Sequence, residues 1–183
     1  MIDDHALVRE GLHQVLKGLD ENVSVLQAGT CEQAFALAEN HVDIDLVLLD
    51  YHLPDMTGLQ ALDVFGKKHP ELPIVMLSGS ANVQIMRQVL QSGASGFVTK
   101  SSLSDELLHA VRLVLNGDVY SPSELGSDFG ALSFDGANAK PPLTQRQELV
   151  LRELLDGRSN REIGSSLNVS EETVKTHVAS ILR

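Results

Sequence analysis

Short apolar runs that end in polar residues constrain the first 120 residues most strongly. Residues 46–49 form a continuous apolar run before Asp50, and residues 74–77 form another before Ser78. Such runs are typical of strands buried on both faces, as in a parallel sheet. Amphipathic segments of helical length separate them, so strands and helices alternate along the chain. This alternation predicts a doubly wound α/β fold.

The same patterns, with the Gly, Pro and Asn residues that interrupt them, predict the individual elements. Strands are predicted over residues 23–27, 46–49, 74–77 and 96–99, and helices over residues 31–40, 58–69, 83–91 and 103–115. Residues 121–142 are rich in Ser, Gly, Asp, Asn and Ala and end in two prolines, which indicates a flexible linker, mobile near residues 126–139. The chain therefore divides into an α/β domain (1–120), a linker (121–142) and a second domain (143–183).

Charge is distributed unevenly between these parts. The chain carries a net charge of −11, with 7 Lys+Arg and 16 Asp+Glu in residues 1–120 but six of each in residues 143–183. A neutral segment binds nucleic acid only if its basic residues share one face. No apolar run approaches the roughly 18 residues of a membrane helix, no signal peptide is visible, and the single cysteine excludes an intramolecular disulfide. We expect a cytoplasmic protein without a membrane partner.

Four features fall at the carboxyl ends of predicted strands: the Asp3-Asp4 pair, Asp50, Ser78 and Lys100. Ligand sites in open α/β sheets form at this edge. Carboxylates on neighbouring strand ends suit Mg²⁺, and a carboxylate beside it can attack a phosphoryl group. A lysine and a hydroxyl would then stabilise the phosphoryl oxygens. Each residue alone is more often a turn, a cap or a solvated charge, but their shared location predicts a phosphate-accepting site.

Residues 143–183 contain three helix starts. Two capping boxes, Thr144-x-x-Gln147 and Ser159-x-x-Glu162, and the capping residue Ser170 mark them. Gly157 is placed to end the first of these helices, and Asn168 to form a tight turn. A short helix, a tight turn and a second helix describe a helix-turn-helix, although a plain helical hairpin has the same pattern.

The last predicted helix has two distinct faces. Residues at spacings of i, i+4 and i+7 form a stripe that we expect to be buried: Val174, Val178 and Ile181. Another face carries small, polar or basic residues: Lys175, Thr176, Ala179, Ser180 and Arg183. The second face is the candidate DNA-binding surface.

Four segments resemble the receiver domains of the NarL/FixJ family of two-component response regulators. They are IDDH (2–5) with LVREGL (7–12), DLVLLDYHLPDMTG (45–58), MLS (76–78) and GASGFVTK (93–100). The resemblance implies the flavodoxin-like strand order 2-1-3-4-5, with phosphorylation of Asp50 by a sensor histidine kinase. It implies a Mg²⁺ site that includes Asp50, in which Asp4 binds the cation directly, Asp3 binds it through water and His52 binds it by its backbone carbonyl. It also implies that Ser78 and Phe97 form a switch pair and that Lys100 contacts the phosphoryl group.

Three further segments resemble LuxR-type DNA-binding domains: Leu143-Thr144 with Arg146 and Val150-Leu151, GRSNREI (157–163) and VSEETVKTH (169–177). The resemblance implies a transcriptional regulator that binds promoter DNA and forms homodimers when phosphorylated or DNA-bound. Lys175, Thr176 and Ala179 would face base edges, with Arg161 and His177 as candidates for backbone phosphate contacts. The chain would not be an enzyme beyond self-phosphorylation and slow dephosphorylation at Asp50.

Two alternatives belong to other classes. An aspartyl phosphatase of the haloacid dehalogenase type would need a second Asp two residues after the nucleophile, where this chain has His52, so we reject it. A transcription factor that does not depend on phosphorylation and uses the receiver for dimerisation remains the alternative.

Family members have about five more residues before the acidic pair and a further helix after residue 183. We therefore expect the first strand to be largely missing and the second domain to be incomplete at its C-terminus. Asp3 and Asp4 would lose the strand that aims them at Asp50, and the chain would be less stable than one with that strand restored.

Overall fold

The computed structural model describes residues 1–19, 23–41, 43–70, 72–102, 105–122, 125, 145–167 and 171–182. Its strands are β1 (Val47–Asp50), β2 (Ile74–Ser78) and β3 (Gly96–Thr99). Its helices are α1 (Ala6–Leu16), α2 (Cys31–Asn40), α3 (Gly58–Lys68), α4 (Val83–Gln91), α5 (Asp105–Leu115), α6 (Gln145–Leu155), α7 (Asn160–Leu167) and α8 (Glu171–Leu182). Among the described residues, no helix has both the length and the apolar character needed to cross a bilayer.

The three strands form a parallel sheet in the order β1-β2-β3, with helices on both faces. Successive strand residues point to opposite faces, so Leu49 packs on the side of α2, α3 and α4, whereas Leu48 packs on the side of α1 and α5. The predicted doubly wound α/β fold is confirmed. Every residue of the three strands is buried, which explains why their sequences carry no polar residue before the last position.

Ile2 takes the place of a central strand. It bridges Ala28 on one side and Leu49 on the other, both in parallel. Its N–H donates to the carbonyl of Leu48 at 2.8 Å, and its carbonyl accepts from the N–H of Asp50 at 2.9 Å. The order of these segments matches the expected 2-1-3-4-5 arrangement. We expected Asp3 to lose the strand that directs it toward Asp50. This expectation is wrong, because the pairing of Ile2 fixes the backbone directly before Asp3.

The predicted strand over residues 23–27 is wrong. These residues, all of them described, form no strand, and only Ala28 bridges to Ile2. The physical reason is that a strand needs a continuous ladder with its neighbour, and here a single residue, Ile2, bridges to this part of the chain. Three backbone bonds join residues 26–28 to the start of the chain: the Met1 amino group donates to the Leu26 carbonyl (2.9 Å), the Ala28 N–H to the Met1 carbonyl (2.9 Å) and the Asp3 N–H to the Ala28 carbonyl (3.1 Å).

Helix α1 is not among the predicted elements. Its buried residues are Leu12 and Leu16, and Val8 packs beside them one turn earlier. That i, i+4, i+8 spacing is the signal that would have revealed it. The remaining predicted strands and helices of residues 31–115 agree with the structure to within two residues, and residues 103 and 104 lie outside the described ones.

Helices α6, α7 and α8 form a separate small core. Val150, Ile163 and Val174 are fully buried there, and Val178 and Ile181 pack against them, which confirms the predicted stripe of α8. The capping box before α7 is present: the Ser159 N–H donates to Glu162 Oε2 at 2.8 Å, and the Glu162 N–H donates to Ser159 Oγ at 3.4 Å. The Ser159 hydroxyl also donates to Glu162 Oε2 at 2.6 Å, and the bonds from this hydroxyl and from the Ser159 N–H to the carboxylate lower the pKa of Glu162.

Gly157 ends α6 with a φ of +78°, as predicted. Its neighbour Arg158 donates its N–H to the carbonyl of Glu153 at 3.2 Å, and this bond closes the helix end. The predicted caps Thr144 and Ser170, and the turn at Asn168, lie outside the described residues.

The chain after α5 returns to the edge of the sheet. Tyr120 bridges Gly96 of β3, and its hydroxyl donates to Glu106 at 2.8 Å. Pro122 and Leu125, inside the predicted linker, are buried, and Leu125 packs in the core on the side of α2, α3 and α4. Residues 126–139, the part predicted to be mobile, lie outside the described residues.

Removing the Ile2 side chain tests whether this residue holds the sheet together. Ile2 is 3% exposed, so Ile2→Ala should lower the free energy of unfolding by about 2–5 kcal/mol, as expected for a large buried aliphatic side chain. Urea denaturation measures the change. The control is Leu7→Ala, which removes an aliphatic side chain that is 88% exposed and should change stability by no more than about 0.5 kcal/mol. Equal losses in the two variants would contradict the central role of Ile2.

Candidate functional site

Strand register brings the predicted site residues to one edge of the sheet. Asp50 ends β1 opposite Leu77, and Ser78 ends β2 opposite Thr99, the residue before Lys100. Parallel strands present their carboxyl ends at the same edge, so Asp50, Ser78 and Lys100 meet there although 50 residues separate the first from the last.

The Lys100 ammonium group lies between two buried carboxylates. Its Nζ is 2.7 Å from Asp50 Oδ2 and 2.7 Å from Asp3 Oδ2. The Asp50 contact is a hydrogen bond, whereas the Asp3 contact has the distance of an ion pair without hydrogen-bond geometry. Asp3 is fully buried and Asp50 is 1% exposed. The sequence prediction that these three residues converge is confirmed as a matter of geometry.

Burial and pairing act in opposite directions on these groups. Burial raises the pKa of Asp50 above its usual value, and the hydrogen bond and charge of Lys100 oppose that rise. Burial alone would lower the pKa of Lys100, but its contacts with Asp3 and Asp50 outweigh it and raise the pKa. Lys100 therefore stays protonated and favours the ionised form of Asp50, which is the form that can act as a nucleophile.

Asp4 and His5 complete an acidic cluster at the surface of this edge. His5 Nδ1 is 2.7 Å from Asp4 Oδ1 and 3.2 Å from Asp3 Oδ1. One ligand atom from each of Asp3, Asp4, His5 and Asp50 lies within 4.8 Å of all the others. Clustered carboxylate oxygens suit a hard divalent cation such as Mg²⁺, so the residues present fit the cofactor that the sequence predicted.

The loop after β1 is held close to Asp50. The His52 N–H donates to Asp50 Oδ1 at 3.3 Å, and His52 bridges Thr57. Gly58 closes the loop with a bond to the Tyr51 carbonyl at 2.8 Å. A Cβ at Gly58 would lie 2.7 Å from Tyr51 Cα, so only glycine fits. The backbone of His52 thus lies beside Asp50, and its carbonyl as a cation ligand stays a prediction.

Asp55 is a residue of this loop whose role the sequence analysis missed. Its Oδ2 accepts the N–H of Glu32 at 3.1 Å, at the start of α2. The little burial it has acts to raise its pKa, but backbone N–H groups, those of Cys31 and Glu32 first, outweigh that and lower it. Asp55 therefore ties the loop to a helix 23 residues earlier. No local sequence pattern could have revealed this contact, because the capping residues of a helix usually lie next to it in the sequence.

The two predicted switch residues lie inside the molecule. Ser78 and Phe97 are both fully buried. Ser78 Oγ accepts the N–H of Ser80 at 3.2 Å, and Phe97 packs in the same core as Met76 and Met86. Their coupling to phosphorylation stays a prediction.

The predicted DNA-binding residues differ in their surroundings. Arg161 is exposed, and half-exposed Lys175 pairs with Glu171 at 3.2 Å, one turn earlier on α8. His177 is only 4% exposed. The side chains of Thr176 and Ala179, and the whole of Arg183, lie outside the described residues.

His177 is buried against the end of the α/β domain. Gly117, which follows α5 with a φ of +85°, faces it so closely that a Cβ there would lie 2.7 Å from His177 Nδ1. Gln147 of α6 donates a short hydrogen bond to the Gly117 carbonyl. The turn at Gly117 therefore contacts both α6 and α8, and a phosphate contact by His177 would require these parts to separate.

Comparison with known proteins finds a matching family for each of the two parts of the chain. Residues 1–112 match the response regulator receiver domain, and residues 141–183 match the luxR family of bacterial regulatory proteins. The glycerol metabolism activator of Pseudomonas putida is 35% identical over 189 residues, covering 99% of this chain and 86% of that protein. The nitrate/nitrite response regulator protein NarP of Escherichia coli is 34% identical, covering 100% and 86%. The solved structure of RcsB from Salmonella typhimurium shares the fold, with a TM-score of 0.65 at 22% identity over 98% of this chain and 87% of that one.

Replacing Lys100 tests the electrostatic coupling at the sheet edge. Lys100→Met keeps an unbranched side chain but removes the charge, so burial acts on Asp50 without its main opposing contact. We expect the pKa of Asp50 to rise above that of the parent protein. Titration of the ¹³C-labelled carboxyl carbon by NMR measures it. Lys67→Met, which removes an exposed lysine paired with Asp63, is the control, and an unchanged Asp50 in the Lys100 variant would contradict the coupling.

Proposed function

This chain belongs to the response regulators that join a receiver domain to a luxR-family DNA-binding region, and we propose that phosphorylation of Asp50 switches its DNA binding. The observation that carries the proposal is the buried Asp50 carboxylate, held at the open edge of the sheet beside the Lys100 ammonium and the acidic cluster. A histidine kinase would be the donor, and promoter DNA and a second copy of the chain would be the partners.

In the proposed reaction, one Asp50 oxygen attacks the phosphorus of the donor. An oxygen–phosphorus bond forms, the bond from phosphorus to the donor's nitrogen breaks, and an acyl phosphate results. Asp50 Oδ2 stays next to Lys100, whose ammonium then lies within reach of the phosphoryl oxygens. Ser78, which ends the adjacent strand, would turn its hydroxyl toward the same oxygens.

The acidic cluster would hold Mg²⁺ in this reaction. Asp4 is the proposed direct ligand, with Asp3 acting through water and the His52 carbonyl as a further ligand. When bound, the cation supplies charge that offsets the approach of an anionic phosphoryl group to ionised Asp50. The chain would catalyse nothing beyond its own phosphorylation and slow dephosphorylation.

The alternative is a receiver that only dimerises. Two buried carboxylates around one ammonium are costly to desolvate, and apolar residues would serve a dimerisation module at lower cost. The retention of Asp3, Asp50 and Lys100 in contact supports the phosphorylation proposal.

Labelling with acetyl phosphate and Mg²⁺ tests the phosphosite. Asp50→Asn should abolish the acid-labile phosphoryl adduct detected by intact mass, because a carboxamide is not a competent nucleophile here. Asp4→Ala should raise the Mg²⁺ concentration needed for half-maximal labelling. Asp63→Asn, at an exposed carboxylate on α3, is the matched control and should label like the parent. Undiminished labelling of the Asp50 variant would overturn the assignment.

The contact at Gly117 would couple phosphorylation of Asp50 to DNA binding. While α8 packs against that turn, His177 cannot reach a DNA phosphate. Lys175 and Arg161 are exposed and are proposed to contact a base edge and the backbone. We infer that phosphorylation shifts Ser78 and Phe97 and favours separation of α8 from the receiver, after which the chain dimerises on DNA.

Weakening this contact should raise DNA affinity without phosphorylation. Gln147→Ala removes the hydrogen bond to the Gly117 carbonyl, and a bond of this kind contributes about 0.5–1.5 kcal/mol, or roughly 2–10-fold in an equilibrium. Fluorescence anisotropy with a duplex selected from a random pool measures the unphosphorylated affinity. Gln84→Ala, at an exposed position on α4, is the control. Lys175→Ala should weaken binding in the same assay, and a Gln147 variant with unchanged affinity would contradict the release proposal.

A further inference from the structure

Three hydroxyl groups meet at the end of β3, next to Lys100. Thr99 Oγ1 lies 3.1 Å from Ser101 Oγ and 3.0 Å from Ser102 Oγ, both hydrogen-bond distances. Thr99 is 6% exposed, whereas Ser101 is exposed and Ser102 is half-buried. A hydroxyl can donate one hydrogen bond and accept another, so the single Thr99 hydroxyl can hold both serines at once. The chain is therefore tied to itself across Lys100.

The segment held in this way is short. Lys100 begins a three-residue turn of 3₁₀ helix that ends at Ser102. Such turns have poor hydrogen-bond geometry, so this one contributes little to its own stability. Thr99, in contrast, is fixed by the pairing of β3 with β2, in which it lies opposite Ser78. The two hydroxyl bonds extend that fixed point beyond Lys100, so the Lys100 backbone is held on both sides.

The position of this backbone matters for the Lys100 ammonium group. Lysine has a flexible four-carbon side chain, yet here its Nζ lies 2.7 Å from both Asp50 Oδ2 and Asp3 Oδ2. Ordering such a side chain costs conformational entropy, and a mobile backbone would add to that cost. A fixed turn therefore favours the arrangement in which the ammonium stays beside Asp50.

We propose that Thr99 is a positioning residue for the phosphorylation of Asp50: its hydroxyl fixes the turn that carries Lys100 and so keeps the ammonium against the carboxylate. The inference rests on the proposed function and adds to it a residue that acts through Lys100. Without the hydroxyl, the ammonium spends less time at Asp50, so it stabilises both the ionised carboxylate and the incoming phosphoryl oxygens less well.

The test compares Thr99→Val with Thr99→Ser. Valine keeps the branched shape but lacks the hydroxyl, whereas serine keeps the hydroxyl. We expect Thr99→Val to slow labelling by acetyl phosphate at saturating Mg²⁺ by about 2–10-fold, the change that the loss of one ordinary hydrogen bond gives in an equilibrium. The same variant should raise the pKa of Asp50, measured by ¹³C NMR. Thr99→Ser should restore both values to within about twofold of the parent rate and to the parent pKa.

Ser92→Ala is the matched control, because it removes a hydroxyl that bonds the Gln88 carbonyl at the end of α4. It should change neither the labelling rate nor the pKa of Asp50. If Thr99→Val does not fold, the double variant Ser101→Ala, Ser102→Ala removes the same two bonds from the other end and takes its place.

A double-mutant cycle separates positioning from a general loss of stability. In a Lys100→Met background, Thr99→Val should have no further effect on the pKa of Asp50, because the group through which Thr99 acts is gone. An unchanged pKa and labelling rate in Thr99→Val, or an equal effect with and without Lys100, would overturn the inference. If the parent is labelled in that case, only the role of Thr99 fails. If the parent is not labelled but Thr99→Val still moves the pKa of Asp50, the proposed function fails and Thr99 still positions Lys100.

Discussion

The pairing of Ile2 with two neighbouring segments is the constraint on which the site depends. One residue bridges Ala28 and Leu49 and thereby joins the parallel sheet to the chain that precedes α2. The next residue, Asp3, is placed at the carboxyl edge by this pairing, within 2.7 Å of Lys100. Parallel pairing of β1, β2 and β3 brings Asp50 and Lys100 to the same edge. The apolar core fixes each strand. It therefore holds the carboxylates of Asp3 and Asp50 close together despite their mutual repulsion.

One lysine, Lys100, offsets only part of the negative charge at this edge. Burial raises the pKa of Asp50, and Lys100 opposes the rise through a hydrogen bond and its charge. The excess of carboxylates over cations is open to solvent on the side of Asp4 and His5, which are partly exposed. Asp50, the proposed nucleophile, is therefore buried, whereas the proposed cation ligand Asp4 is open to solvent.

The segment after α5 links this edge to the DNA-binding region. β3 carries Phe97 and ends directly before Lys100, and its edge is bridged by Tyr120. Three residues before Tyr120, the Gly117 turn contacts Gln147 and His177. The proposed phosphorylation site and the helix proposed to bind DNA are thus joined by a short run of packed residues. Such a run can transmit a change only if it has two stable arrangements. In our proposal these are the arrangement in which α8 packs on the Gly117 turn and the arrangement in which α8 is released from it.

The sequence by itself determined the fold class, the strand ends and the family. Strands buried on both faces can be predicted because every residue in their apolar runs is apolar. The family can be identified because the motifs around Asp50 and Lys100 are contiguous in the sequence. The buried stripe of Val174, Val178 and Ile181 could also be predicted, because these residues follow the period of a single helix. Tertiary structure alone decided that residues 23–27 form no strand, since that depends on whether a neighbouring segment offers a continuous ladder. It also decided that Asp55 caps a distant helix, that His177 is buried against Gly117, and that the His5 ring faces the carboxylates. Each of these is a contact or an orientation set by packing, and a sequence pattern specifies which residues are buried far better than which atoms meet.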